Sequence, residues 1–131
     1  MARVLKLKNN DYLYGVLIDK GSNQNGEWEK YSDGRLIQRG RYMIGDIAFN
    51  TARGNLYGGA NNENIAVIQY PINFIDKYNH VEVSVEGNSY LTISCNNTNG
   101  YKNQFTSYVL SPTNGTVRNV CIMWEAKGYW K

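Results

Sequence analysis

The run Val81-Glu82-Val83-Ser84-Val85-Glu86 sets an apolar residue at every second position, and it limits the fold more than any other feature. A period of two belongs to a strand with one buried and one wet face; a helix cannot use it. After Gly87-Asn88 the pattern resumes, with Leu91, Ile93 and Cys95 on one side and Thr92 and Ser94 on the other. The two runs are expected to form a hairpin. Towards the C-terminus Val120, Ile122, Trp124 and Ala126 share one face, while Cys121 and Met123 make the other face apolar as well. That predicts a central strand.

Other segments read the same way. Ser32-Asp33-Gly34 separates the strand-like runs Glu27 to Tyr31 and Arg35 to Met43, and an Asp-Gly pair in that setting is a strong hairpin signal. Asp11 to Ile18 reads as a strand or an extended arm, and Gly21 to Gly26 as a polar loop. Gly45 to Asn64, with its glycines and asparagines, reads as a long loop holding at most a short strand at Ile47 to Phe49. Ile65 to Tyr70 is a strand stopped by Pro71, and Phe105 to Leu110 another, closed by Ser111 to Gly115. The best helical candidate, Asn73 to Tyr78, amounts to one turn. The expected fold is all-β, an antiparallel sandwich of roughly six to seven short strands. A length of 131 residues suits one domain, with residues 1–18 as an N-terminal strand or linker arm and 19–131 as the sandwich.

Composition narrows the function. The net charge is +3 and the basic residues are scattered, whereas nucleic-acid proteins concentrate them on one face. No apolar stretch reaches membrane-spanning length, and the N-terminus does not read as a signal peptide. Without an export signal, Cys95 and Cys121 are expected to be buried thiols and not a disulfide. Asparagine is abundant beside 13 Gly and 11 Tyr. Asn and Gly favour turns, Tyr favours strands, and together they make adaptable binding loops.

Catalytic patterns are missing. His80 is the only histidine and reads as solvated, so neither a metal centre nor a Ser-His-Asp triad is expected within one chain. Glu82 and Glu86 alternate with buried valines and belong to a wet strand face, not to a glycosidase pair. Gly54 to Gly59 lacks the Lys-Ser/Thr ending of a phosphate loop. The chain is therefore expected to be a binding module without enzymatic activity, cofactor or metal. Saccharides are held by aromatic rings and by amide, carboxylate and guanidinium groups. The loops supply that set in Arg53, Asn55, Tyr57, Asn61 and Asn62, and again in Asn96, Asn99, Tyr101 and Lys102.

Three segments carry a resemblance. The first runs from Gly21-Ser22-Asn23-Gln24-Asn25-Gly26 through Trp28-Glu29-Lys30-Tyr31 and Ser32-Asp33-Gly34 to Leu36-Ile37-Gln38 and Gly40. The second is Tyr70-Pro71-Ile72-Asn73-Phe74, and the third Trp124-Glu125-Ala126-Lys127-Gly128-Tyr129-Trp130. In this order they resemble the C-terminal domain of phage and prophage tail-fibre proteins of the H-type-lectin-like kind. The resemblance implies an antiparallel sandwich, a homotrimer at a fibre end, and upstream tail-fibre or baseplate proteins as neighbours. It also implies a host surface glycan as ligand and a place at the virion tail tip, with no nucleic-acid partner and no membrane insertion. Loops vary widely among such domains, so it assigns no ligand contact. Trp28, Tyr31 and Trp124 are expected in the core or an interface.

Overall fold

The computed structural model describes residues 15–96 and 101–131. The expected N-terminal arm therefore lies outside the described residues up to position 14, and the Asn97 to Gly100 part of one predicted loop does as well.

Nine strands are described: β1 (Leu17–Asn23), β2 (Gly26–Tyr31), β3 (Arg35–Arg53), β4 (Leu56–Gly59), β5 (Ile65–Gln69), β6 (His80–Glu86), β7 (Thr92–Asn96), β8 (Gln104–Leu110) and β9 (Gly115–Tyr129). A large sheet has the order β1-β2-β3-β9-β6, with β4 added along the far half of β3, and a small sheet has the order β5-β8-β7. Every ladder is antiparallel. The all-β sandwich expected from the alternation is the fold observed.

Its centre is β9, paired with β3 on one side and β6 on the other. Trp124, Ile122 and Ala126 point inward and are buried. They meet Phe105 and Val109 of β8, Ala66 and Ile68 of β5, and Tyr70 and Phe74 of the following segment. Phe105 and Trp124 join the two sheets with ring centroids 5.6 Å apart, and Tyr70 meets Phe74 edge-on at 4.9 Å. Rings in this arrangement add to what their buried area already contributes. A Cβ on Gly40 would come 2.9 Å from the Trp124 ring, so any larger residue at this position of β3 would crowd the indole. Trp28 and Trp130 are partly buried and pack against the same core.

The Asp33-Gly34 hairpin forms as expected, with Lys30 opposite Leu36 and Gly34 at φ 96°. Asp33 Oδ1 accepts the Arg35 N–H at 3.1 Å. Cys95 and Cys121 are free thiols.

Three expectations are corrected. First, β6 and β7 do not pair. Val83 of β6 lies opposite Trp124 of β9, and Ile93 of β7 opposite Val109 of β8. Alternation shows that each strand hides one face, but not which neighbour it joins; residues 87–91 carry the chain from one sheet to the other. Second, Gly21 to Asn23 belongs to β1, and the loop shrinks to a turn in which Asn23 Oδ1 accepts the Asn25 N–H at 2.9 Å. The segment is polar because β1 is an edge strand. Third, Gly45 to Asn64 is mostly strand. β3 continues to Arg53 and turns at Gly54-Asn55 into β4. Gly45 (φ 95°) and Asn119 (φ 57°) are bulge residues where the β3–β9 register slips. Asp46 Oδ1 accepts the Asn119 N–H at 3.0 Å. A bulge keeps a ladder going while bending it, so glycine here marks a bend and not a strand end.

Beyond the bulges, the β3–β9 ribbon stays in the large sheet and meets the small one through β4. Ile47, Phe49 and Val117 remain buried, and Tyr57 of β4 exchanges backbone hydrogen bonds with Ser111 just past β8, at 2.8 and 2.9 Å. The molecule thus has two distinct ends. At the terminal end, Leu17 pairs with Tyr31 and Arg35 with Tyr129. The Ser32 N–H donates to Val16 O at 2.7 Å and the Trp130 N–H to Gly34 O at 2.9 Å. Both ends of the described fold therefore meet at one hairpin turn. The far end carries the β3–β4 turn, the Ala60–Asn62 turn of 3-10 helix and the loops at 87–91 and 111–115.

Candidate functional site

The candidate saccharide contacts fall into two groups, and β8 keeps them apart. Arg53 ends β3, Asn55 lies in the β3–β4 turn, and Asn61 and Asn62 follow β4; all four are exposed and sit at the far end. Tyr57 is half-buried and its backbone is held by Ser111. Asn96 ends β7, and Tyr101 and Lys102 lead into β8, at the terminal end. Asn99 lies outside the described residues. From Lys102 to Ser111 the chain advances along β8 at about 3.3 Å per residue, roughly 30 Å in all. One protomer does not bring the two groups into one site.

The far-end group has a supporting residue that the sequence did not reveal. Asn64 is buried; its Oδ1 accepts the Gly59 N–H at 3.1 Å and its Nδ2 donates to Val109 O at 3.0 Å. The Val109 N–H donates to Asn64 O at 2.9 Å. These bonds tie the exit of β4 to β8. Between them, Asn61 (φ 54°) and Asn62 (φ 61°) both adopt the left-handed conformation, which asparagine tolerates better than most residues. Among the described residues the side chains of Arg53, Asn55, Asn61 and Asn62 have no hydrogen-bond or ion-pair partner.

The terminal end is tyrosine-rich. Tyr78 is 74% exposed, and Tyr101 and Tyr129 are about half exposed, beside Ile75. Their segments are linked by hydrogen bonds to backbone carbonyls: the Ile75 N–H donates to Tyr129 O at 2.8 Å, the Phe74 N–H to Lys102 O at 3.0 Å, and the Asn79 side-chain Nδ2 to Tyr101 O at 3.4 Å. Tyr129 could have been found from its outward position two residues past Lys127. Tyr78 lies in a segment without periodicity and gave no signal.

The outer face of the large sheet forms two open grooves, of about 550 and 610 Å³, that share Glu27 and Arg39. Arg39 is the hub, bonded to Glu29 and lying 3.4 Å from Glu125 and 3.9 Å from Glu27. Its guanidinium holds the Glu29 carboxyl below the usual glutamate range, against an opposing push from partial burial. His80 is solvent-exposed, 3.6 Å from Glu82. Among the described residues no three His, Cys, Asp or Glu side chains gather as a metal ligand set.

No protein-family model matches the chain, and no curated protein does. Solved structures do. The P. aeruginosa R1 pyocin fiber comprising C-terminal residues 323–701 matches with a TM-score of 0.59 and 19% identity, over 86% of this chain and 28% of that one. An N-truncated R1-type pyocin tail fiber matches with a TM-score of 0.58 and 19% identity, over 86% of this chain and 87% of that one. The chain shares the fold of these two pyocin fibre fragments. It spans little more than a quarter of the longer pyocin fragment, and at this identity the likeness is one of architecture.

Proposed function

We propose that the chain is a tail-fibre module, carried on a virion tail, that binds a carbohydrate on the host cell surface. The observation that carries this reading is a rigid sandwich of pyocin-fibre architecture whose turns present unpartnered amide, guanidinium and tyrosine side chains. Such groups recognise a polyhydroxylated ligand without needing a catalytic set, and the reading assigns the module no enzymatic activity. As in the resemblance drawn from the sequence, the module acts as a homotrimer next to upstream fibre or baseplate proteins. Three weak sites on one assembly then gain avidity through effective concentration.

The test is binding of the purified chain to arrayed bacterial surface polysaccharides. Retention on one saccharide class, competed by the same free saccharide, is the expected result. Silence across the wall polysaccharides of every susceptible host overturns it.

One observation favours a second reading, a module that only assembles and terminates the fibre. The outer face of the small sheet carries Ile65, Val67, Gln69, Thr92, Ser94, Asn96, Gln104, Thr106, Tyr108 and Leu110, without a charge among them. Charge depletion is typical of the centre of a protein–protein interface.

A further inference from the structure

We infer that the far end of the sandwich is the contact end, and that Asn61 and Asn62 form a fixed point on it for the hydroxyls of an uncharged saccharide. The inference rests on the saccharide reading above and adds the place and the polarity.

Three observations carry it. Gly15 and Lys131, the two ends of the described fold, both lie beside the Ser32–Gly34 turn, so the far end is the one remote from both. Next, Asn61 and Asn62 are consecutive left-handed residues, a conformation that persists only where the surroundings hold it. Asn64 does so, from a buried position, through Gly59 and Val109. Two adjacent amides are thereby displayed on a backbone that does not have to be ordered when a ligand arrives, which removes part of the cost of binding. Finally, each amide offers both donor and acceptor groups, with no partner among the described residues. A sugar hydroxyl also donates and accepts, and carries no charge. The tyrosine-rich terminal end, by contrast, is where both ends of the described fold lie, and its exposed rings suit contact with adjoining parts of the assembly.

The test compares three variants of the whole chain on the polysaccharide array. Asn61→Gly with Asn62→Gly removes both amides while retaining a residue suited to positive φ. Arg53→Ala with Asn55→Ala probes the same end without touching that turn. Tyr78→Ala with Tyr129→Ala, two exposed rings outside the candidate contacts, probes the terminal end. Loss of two ligand hydrogen bonds weakens half-maximal binding roughly tenfold or more. The expected result is that loss in the glycine variant, a smaller loss in the Arg53/Asn55 variant, and an unchanged Tyr78/Tyr129 variant. A loss confined to the tyrosine variant, or an equal loss in all three, overturns the polarity but leaves the saccharide reading standing. A wild-type chain that binds no saccharide removes both. Should the glycine variant fail to fold, as judged by its thermal transition, the Arg53/Asn55 variant against the tyrosine variant decides.

Discussion

The two sheets are built on the same inward pattern and differ on their outward faces. The large sheet shows solvent an ion lattice: Glu27 opposite Arg39, Arg39 opposite Glu125, and Glu125 opposite Glu82. Lys127 lies 3.5 Å from Glu125, beside the like-charged pair that Glu125 makes with Glu82. The outward face of the small sheet carries no Asp, Glu, Lys, Arg or His, and Val67 on its edge strand β5 stands 47% exposed. Core formation dictates only the inward residues, so the contrast reports what each outer surface meets. A charged face stays in water because desolvating it is costly. An uncharged one can be covered at little expense.

The largest expected effect tests whether the hidden halves are as equivalent as they look. Phe105→Ala under the small sheet and Trp124→Ala under the large one should each destabilise by about 3–5 kcal/mol, measured by urea unfolding. An effect below about 1 kcal/mol for Phe105→Ala alone would mean that the small sheet is only loosely joined to the core, and the comparison would lose its basis.

A smaller effect separates the outward faces. Thr106→Lys sets a charge in the middle of the small sheet's outer side. In an isolated protomer such a change is worth about 0.5 kcal/mol or less. If copies of the chain share this face, like charges meet there at a cost of a few kcal/mol, and sedimentation should show assemblies at micromolar concentration giving way to protomers. The matching change on the other face, Ser84→Lys, should leave assembly alone. Wild-type protomers that stay single at that concentration would remove the trimer from the proposal.

How much of this was legible beforehand depends on how local each signal is. The Asp33-Gly34 hairpin was legible because turn chemistry is written in adjacent residues. The centrality of β9 was legible because Cys121 and Met123 make part of its second face apolar, although Glu125 and Lys127 keep the rest of that face polar. The partners of β6 and β7 were not, since pairing is decided across the core by residues such as Trp124 and Val109, far away in sequence. Gly45 was ambiguous because glycine serves a bulge as well as a turn. Within the candidate site the residue types were legible, but their division between two ends was not: that required the course of β8 between Lys102 and Ser111. Asn64 was hidden among other asparagines, and only its burial distinguishes it.

The smallest effect concerns the lattice itself. Arg39→Ala should cost about 1 kcal/mol or less at pH 7, because its partners are partly exposed and screened. The pH dependence has a definite sign. Glu29 has its pKa lowered in the folded chain, first by its hydrogen bond with Arg39. A depressed carboxylate contributes stability that is complete above its unfolded pKa, near 4, and that is lost as pH falls through the lower folded value. The gap between wild type and Arg39→Ala should therefore be full at neutral pH, begin to narrow near pH 4 and close below it; added salt should narrow it at neutral pH as well. Val67→Thr on the opposite face touches no group that titrates in this range, so its difference from wild type should be the same at pH 7 and pH 3. If the Arg39→Ala gap keeps its size throughout that acid range, ionic attraction is not what separates the two faces, and Arg39 matters through the packing of its aliphatic stem across β2, β3 and β9.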